Sequence, residues 1–123
     1  MIGYVCVGTK NLEKASKFYD EVLAVLGAER SYEIEKKAVF WTTGEGEPGF
    51  SVILPYDDQP ATAGNGTMVA LKAESLEQIK KVYDKAIELG AEDAGKPGVR
   101  EEGFSAAYFR DLDGNKINIH CFG

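Results

Sequence analysis

Residues Leu12–Asp20 read LEKASKFYD, and residues Leu76–Asp84, 64 positions later, read LEQIKKVYD. Both segments begin with Leu-Glu, carry Lys at the sixth position and end with Tyr-Asp. The motif Leu-Gly-Ala-Glu then follows in both, as Leu26–Glu29 and as Leu89–Glu92, with one residue fewer before the second copy. We infer that the chain is one structural unit written twice, and we expect a site where the two copies face each other.

The length of the chain limits the number of domains that the repeat can form. With 123 residues, the chain is long enough for one domain with a core and too short for two independent domains. We therefore expect a single domain, 1–123, built from two half-domains that share a core. Module 1 covers about 1–57 and module 2 about 67–123, joined by a linker over 55–66 that is rich in Pro and Gly.

Charge and composition exclude several partners. The formal net charge of −6 argues against a nucleic-acid backbone or an anionic membrane as partner. No apolar run approaches the length of a membrane span, and the first residues read as a strand rather than as a signal peptide, so we expect a cytoplasmic protein. Two buried thiols at Cys6 and Cys121 are favoured over a disulfide.

Each module has the pattern of βαβββ. In module 1 a strand over Ile2–Gly8 precedes a helix that Asn11 caps and that runs to about Leu26. Two short strands within Tyr32–Thr43 and a further strand over Phe50–Leu54 complete this module. The helix carries a single apolar stripe, so it is expected to cover one face of its sheet.

Module 2 repeats this order. A strand over Thr67–Lys72 precedes a helix that Ser75 caps, and a short strand is expected near Val99. The last two strands, Phe104–Arg110 and Lys116–Cys121, flank a tight turn. The fold class is therefore α+β: two tandem βαβββ modules that form an eight-stranded curved sheet with helices on the outer face. The other face forms an open trough, the usual kind of place for a ligand.

The chain resembles the vicinal oxygen chelate superfamily, which includes glyoxalase I, bleomycin resistance proteins and extradiol dioxygenases. The residues that carry the resemblance are Val5 and Val7 before Asn11–Tyr19, then Leu26–Gly27, then Arg110–Ile117 (RDLDGNKI). It covers essentially the whole chain. It implies the fold described above, and because members of the superfamily are commonly dimers it also implies a homodimer.

The same resemblance predicts the absence of the usual metal site. Metal-dependent members carry His or Gln in the first strand of each module and a carboxylate in each last strand. The corresponding first-strand residues here are Tyr4 and Met68, 64 positions apart, and the last-strand residue of module 2 is Asn118. In module 1 the last-strand position falls at Ser51 or Ile53. These side chains do not supply the donors that a divalent cation requires, so we expect no metal and no cofactor.

Six residues are candidates for a ligand site. If Arg110 and Lys116 pair across the turn, Tyr108 pairs with Asn118 and Ala106 with His120. Tyr108, Asn118 and His120 then share the face that lines the trough. His120 is the single histidine and a weak candidate for a general base. The predicted ligand-binding residues are Tyr4, Met68, Tyr108, Asn118, His120 and Trp41, the last of which fits a core position equally well.

Three functions follow from these features. The leading hypothesis is a metal-free member of the superfamily that binds a small organic molecule in the trough. The first alternative is a lyase or dioxygenase of the lactoylglutathione-lyase type, which uses non-standard metal ligands or a metal-free acid–base mechanism with His120. The second alternative is a structural homodimer whose trough is filled by its own side chains. Whether the protein is an enzyme is left open by the sequence.

Overall fold

The computed structural model describes all 123 residues, which form eight strands and two helices. In chain order the elements are β1 (Tyr4–Gly8), α1 (Leu12–Ala24), β2 (Glu29–Ile34), β3 (Ala38–Thr42), β4 (Gly49–Ile53), β5 (Val69–Lys72), α2 (Leu76–Glu88), β6 (Glu92–Glu101), β7 (Phe104–Arg110) and β8 (Lys116–Phe122). Each half therefore has the order βαβββ, which confirms the predicted α+β class with two tandem modules.

The strands are hydrogen-bonded as two four-stranded sheets, one in each half. The first sheet has the order β1-β4-β3-β2 and the second has the order β5-β8-β7-β6. In both sheets the first and last strands of the module pair in parallel, and the other neighbours are antiparallel. The chain divides into two compact units, unit 1 (Met1–Thr62) and unit 2 (Ala63–Gly123), whose boundary falls in the predicted linker.

Helix α1 packs one face of the first sheet through aromatic side chains. Asn11 caps the helix as predicted, because its side chain accepts a hydrogen bond from the backbone N–H of Lys14 at 3.0 Å. The ring centroid of Tyr19 lies 4.7 Å from that of Phe50 and 6.0 Å from that of Trp41. The face of the sheet that carries Phe50 and Trp41 is therefore the face toward the helix.

Helix α2 packs the second sheet in the same way. The Ser75 hydroxyl accepts from the N–H of Gln78 at 3.1 Å, and the Gln78 side chain accepts from the N–H of Glu74 at 2.8 Å. The Tyr83 hydroxyl donates to Asp93 on β6 at 2.9 Å. Neither helix is long and apolar enough to span a membrane.

The hairpin of β7 and β8 has the predicted register. Arg110 pairs with Lys116, Tyr108 with Asn118 and Ala106 with His120. Its turn is held by Asp111, whose carboxylate accepts from the N–H groups of Asp113 and Asn115 at 2.9 Å each. Gly114 in this turn has a φ of 88°, the left-handed conformation that favours glycine.

Strand β6 is longer than its sequence indicates. Only a short strand near Val99 is expected, yet pairing with β7 extends over ten residues. Gly95, Pro97 and Gly98 obscure the strand pattern, and the pairing is interrupted by three shifts of register. This edge strand tolerates such residues because one side of its backbone has no ladder to maintain.

Both cysteines are free, in agreement with the prediction, but their burial differs from it. Cys121 is half-buried, whereas Cys6 is exposed rather than buried. The reason is the alternation of β1, in which Val5 and Val7 face α1 and Cys6 faces the opposite side.

Candidate functional site

Unit 2 has one sheet face that its helix does not cover, which we call the helix-free face of unit 2. Ile117 and Ile119 are fully buried on the helix side of β8, so the alternate residues of β8 and their partners lie on the other side. The residues of this face on β5, β7 and β8, with Met68 directly before β5, are Met68, Ala70, Lys72, Phe104, Ala106, Tyr108, Arg110, Lys116, Asn118, His120 and Phe122. Four of the six predicted site residues therefore lie on one face.

His120 and Asn118 form a hydrogen-bonded pair on this face. The His120 ring nitrogen Nδ1 lies 2.7 Å from the Asn118 side-chain oxygen Oδ1, so Nδ1 carries the proton and donates it. Burial lowers the pKa of His120, and the positive charge of Lys72 lowers it further. The neutral ring that results presents Nε2 as a hydrogen-bond acceptor, which is the arrangement of a general base or of a ligand-binding group.

The ring of Tyr108 lies among cationic side chains. The guanidinium carbon of Arg100 is 5.6 Å from the ring centroid, and the ammonium nitrogen of Lys116 is 5.3 Å from it. Both distances lie within the range of cation–π attraction. The sequence analysis identified Tyr108 as a site residue but not these two cations. Arg100 in particular falls in a segment without a clear strand pattern.

In unit 1 the helix-free face is aromatic. Tyr4 is directly followed on this face by Cys6, and the ring centroid of Tyr4 lies 5.3 Å from that of Phe40 on β3. The ring of Tyr32 on β2 lies 5.9 Å from Phe40 on its other side. Tyr4 is 61% exposed and Tyr32 is 63% exposed, so this row of three rings offers an accessible apolar surface. Phe40 and Tyr32 were not identified as site residues from the sequence. Phe40 pairs with Ser51 on β4 and therefore lies on the same face as Ser51.

Strand register identifies the last-strand position of module 1. Cys6 pairs with Ser51 on the parallel strand, and Ala70, 64 positions after Cys6, pairs with Asn118. Ser51 is therefore the counterpart of Asn118, and Ile53 is the counterpart of His120. Ser51 and Asn118 are both almost completely buried, with 0% and 2% of their surface exposed.

The residues at these positions do not fit a divalent cation. Unit 1 offers Tyr4 and Ser51, and unit 2 offers Met68 and Asn118. A phenol, a hydroxyl, a thioether and a neutral amide lack the imidazole and carboxylate donors that such cations take from proteins. Within neither unit do three or more His, Cys, Asp or Glu side chains come together as a group that could hold a metal.

Trp41 and Met68 differ in their surroundings. Trp41 is 1% exposed on the helix side of β3, and its indole N–H donates to Asp20 at 3.0 Å. It therefore belongs to the core of unit 1 and does not border the helix-free face as its strand position led us to expect. Met68 is 43% exposed and directly precedes β5, where it is accessible to a ligand.

Comparison with known proteins identifies the class of this fold. The model of the Glyoxalase/Bleomycin resistance protein/Dioxygenase superfamily matches residues 1–119. The chain belongs to this superfamily, as its sequence motifs indicate. None of the curated protein sequences matches the chain.

Solved structures with the same fold cover nearly the whole chain. A glyoxalase/bleomycin resistance protein from Albidiferax ferrireducens T118 is 34% identical, with a TM-score of 0.87 over 98% of this chain and 97% of that one. A family enzyme from Burkholderia phytofirmans PsJN is 17% identical, with a TM-score of 0.73 over 96% and 95%. A lactoylglutathione lyase from Agrobacterium tumefaciens is 16% identical, with a TM-score of 0.69 over 98% and 92%. The last two likenesses concern the fold alone.

Proposed function

We propose that this protein binds a small organic molecule without a metal, on the helix-free faces of its sheets. The observation that carries the proposal is the set of side chains on these faces. The face of unit 1 carries the exposed rings of Tyr4 and Tyr32, and the face of unit 2 carries the polar groups of Tyr108 and His120. A few hydrogen-bonding groups set in an apolar surface are typical of sites for organic ligands.

Metal analysis and a ligand screen test this proposal. We expect the purified protein to hold no stoichiometric metal after dialysis, and we expect organic ligands to raise its melting temperature in the presence of a chelator. Because Trp41 is buried in the core, its fluorescence is a poor reporter of binding, and thermal shift or calorimetry is the better measurement. A tightly held metal ion that is required for ligand binding would refute the metal-free proposal.

Two variants locate the site. Tyr4→Ala and His120→Ala are expected to weaken the binding of a ligand found in the screen. Tyr56→Ala is the matched control, because Tyr56 is 92% exposed in the linker and lies outside both helix-free faces. Equal effects of all three variants would mean that the ligand binds elsewhere.

A second candidate function is a metal-free acid–base enzyme of the lactoylglutathione-lyase type. The specific observation in its favour is the bond between His120 and Asn118, because it leaves Nε2 of a neutral ring ready to accept a proton. The test is turnover of the hemithioacetal of methylglyoxal and glutathione in the presence of a chelator. Activity that His120→Gln abolishes would support this function, and the absence of turnover would reject it.

We propose a cytoplasmic homodimer, with the assembly taken from the superfamily, whose members are commonly dimers. Light scattering coupled to size-exclusion chromatography measures the mass directly, and a mass of 13.4 kDa, that of one chain, would contradict the dimer.

A further inference from the structure

The cations at one end of the helix-free face of unit 2 are held in place by their neighbours. Arg100 and Lys116 both lie against the ring of Tyr108, and the Arg100 guanidinium also donates to the backbone carbonyl of Lys96. Side chains positioned in this way lose less conformational entropy when they bind a ligand than free surface lysines do. We refer to Arg100, Lys116 and Tyr108 as the cationic end of the face.

Two glycines on β6 make this arrangement possible. A Cβ atom at Gly95 would lie 2.7 Å from Cδ1 of Tyr108, and one at Gly98 would lie 3.3 Å from a terminal nitrogen of Arg100. Neither glycine has the positive φ that would by itself require glycine. Close approach of the Tyr108 ring therefore accounts for Gly95, whereas Gly98 contacts only the flexible end of the Arg100 side chain. In unit 1 the corresponding positions hold Tyr32 and Ile34, which leave no such space.

The opposite end of the same face is aromatic. The ring centroids of Phe104 and Phe122 are 5.1 Å apart, and the ring of His120 lies 6.0 Å from Phe104 and 5.6 Å from Phe122. Phe122 is 75% exposed. We refer to these three residues as the aromatic end. Ala106 and Asn118, both buried, lie between the two ends.

The charge on this face differs from that of the whole chain, which carries −6. Arg110, which pairs with Lys116, lies on the same face and donates to the backbone carbonyl of Gly114 at 2.9 Å. Lys72 adds a further cation beside His120, its neighbour on the adjacent strand. Two carboxylates, Glu92 and Glu101, lie at the ends of the edge strand β6 and are exposed. From Lys116 to His120 the strand advances about 14 Å, which sets the length of a ligand that touches both ends.

We propose that the helix-free face of unit 2 binds an organic anion with an apolar body. This inference rests on the proposed binding function and assigns a ligand class to it. The anionic group lies at Arg100 and Lys116, where charge-assisted hydrogen bonds stabilise it. The apolar body extends toward the aromatic end and packs against Phe104 and Phe122.

Pairs of anionic and neutral probes test the proposal on the full chain. Suitable pairs are the carboxylates and amides of decanoic, dodecanoic and 6-phenylhexanoic acid, because their extended lengths approach the distance between the two ends. We expect at least one carboxylate to bind about tenfold or more tightly than its amide, and to perturb the backbone amide signals of β7 and β8 in NMR spectra. Its affinity should fall as ionic strength rises from about 0.01 M to about 1 M, because the Debye length falls from roughly 30 Å to 3 Å.

Charge-matched variants separate a specific site from general electrostatics. The double variant Arg100→Gln/Lys116→Gln is expected to lower the affinity for the carboxylate about tenfold or more and to leave that for the amide unchanged. Lys14→Gln/Lys80→Gln removes the same charge from exposed positions on the two helices and should change neither affinity.

Each contrary result has a distinct meaning. If amides bind as tightly as carboxylates, or if both double variants weaken the carboxylate equally, the anion preference is refuted and the proposed binding function stands. The same holds if every probe fails while uncharged compounds from the ligand screen bind. If neither the probes nor the screened compounds bind, both proposals fail.

Discussion

Replacing Asp20 with alanine is expected to destabilise the protein by about 2 kcal/mol more than replacing Asp84, its counterpart in the repeat. The Asp20 carboxylate accepts two hydrogen bonds from Arg30, both at 2.8 Å, and one from the indole N–H of Trp41 at 3.0 Å. Asp84 lies at the same position of the second helix and is exposed. In unit 2 the strand positions of Arg30 and Trp41 hold Asp93 and Phe109, which cannot donate these bonds.

The magnitude follows from the groups that are left without partners. The indole N–H of Trp41 is buried, and an unpaired buried donor costs about 1–3 kcal/mol. The pair with Arg30 is about one-third exposed, so solvent screening limits its share to about 0.2–1 kcal/mol. The gain in helix propensity from Asp to Ala is the same in both variants and cancels in the comparison.

Urea unfolding followed by Trp41 fluorescence measures the difference, since Trp41 is the single tryptophan and is buried. For a chain of this size, about 2 kcal/mol corresponds to a melting temperature lower by about 8 °C. Equal stabilities of the Asp20→Ala and Asp84→Ala variants would refute the argument.

The stability difference should also depend on pH. The hydrogen bond from Arg30, followed by that from Trp41, lowers the pKa of Asp20 below its ordinary range, against the effect of partial burial. A carboxylate with a depressed pKa in the folded state stabilises the protein above its unfolded pKa, about 4. This contribution is lost as the pH falls through the lower folded pKa. The gap between wild type and Asp20→Ala should therefore be constant near neutrality and narrow below about pH 4.

Two further predictions concern unit 2. Long-range ¹H–¹⁵N NMR of the single histidine should show Nδ1 of His120 protonated and Nε2 unprotonated near neutral pH, with a pKa below about 6.5 that rises in Lys72→Gln. Nε2 protonation in the neutral ring would contradict the assigned tautomer. Gly95→Ala should destabilise the protein by about 1–3 kcal/mol through its contact with Tyr108, whereas Gly3→Ala, which has no neighbour within 4 Å, should not. Equal stability of the two alanine variants would remove the steric role assigned to Gly95.

The order of helices and strands could be predicted because the signals that define it lie close together in the sequence. Helix caps at Asn11 and Ser75, together with one apolar stripe per helix, identify both helices without information about distant contacts. The register of β7 and β8 was also predictable, since a tight turn with Gly114 fixes which residues pair. Local sequence did not predict the length of β6. Gly95 and Gly98 obscure the strand pattern, and the side chains that approach them, Tyr108 and Arg100, cannot be inferred from the neighbouring sequence.

The candidate site was predictable only in part, for the same reason. Alternation along β8 places Asn118 and His120 together, and the hydrogen bond between them depends on that spacing alone. The position of Trp41 depends instead on which face of β3 turns toward α1. The sequence AVFWT is apolar except for its last residue, so alternation does not decide this. Arg100 joins the site because an irregular strand places it over Tyr108.

Strand register shows which residues of the two helix-free faces are equivalent, and these residues differ in their chemistry. Tyr32, Phe40 and Ile53 on the helix-free face of unit 1 correspond to Gly95, Tyr108 and His120 in unit 2. From unit 1 to unit 2 these positions change from tyrosine to glycine, from phenylalanine to tyrosine and from isoleucine to histidine. The helix-free face of unit 2 has an aromatic end and a cationic end, which together suit a ligand with an apolar part and a charged part. Both helices keep Leu-Glu, Lys and Tyr-Asp at the same positions, whereas the residues of the helix-free faces differ between the units. This difference supports the proposal that unit 2 binds an organic anion with an apolar body.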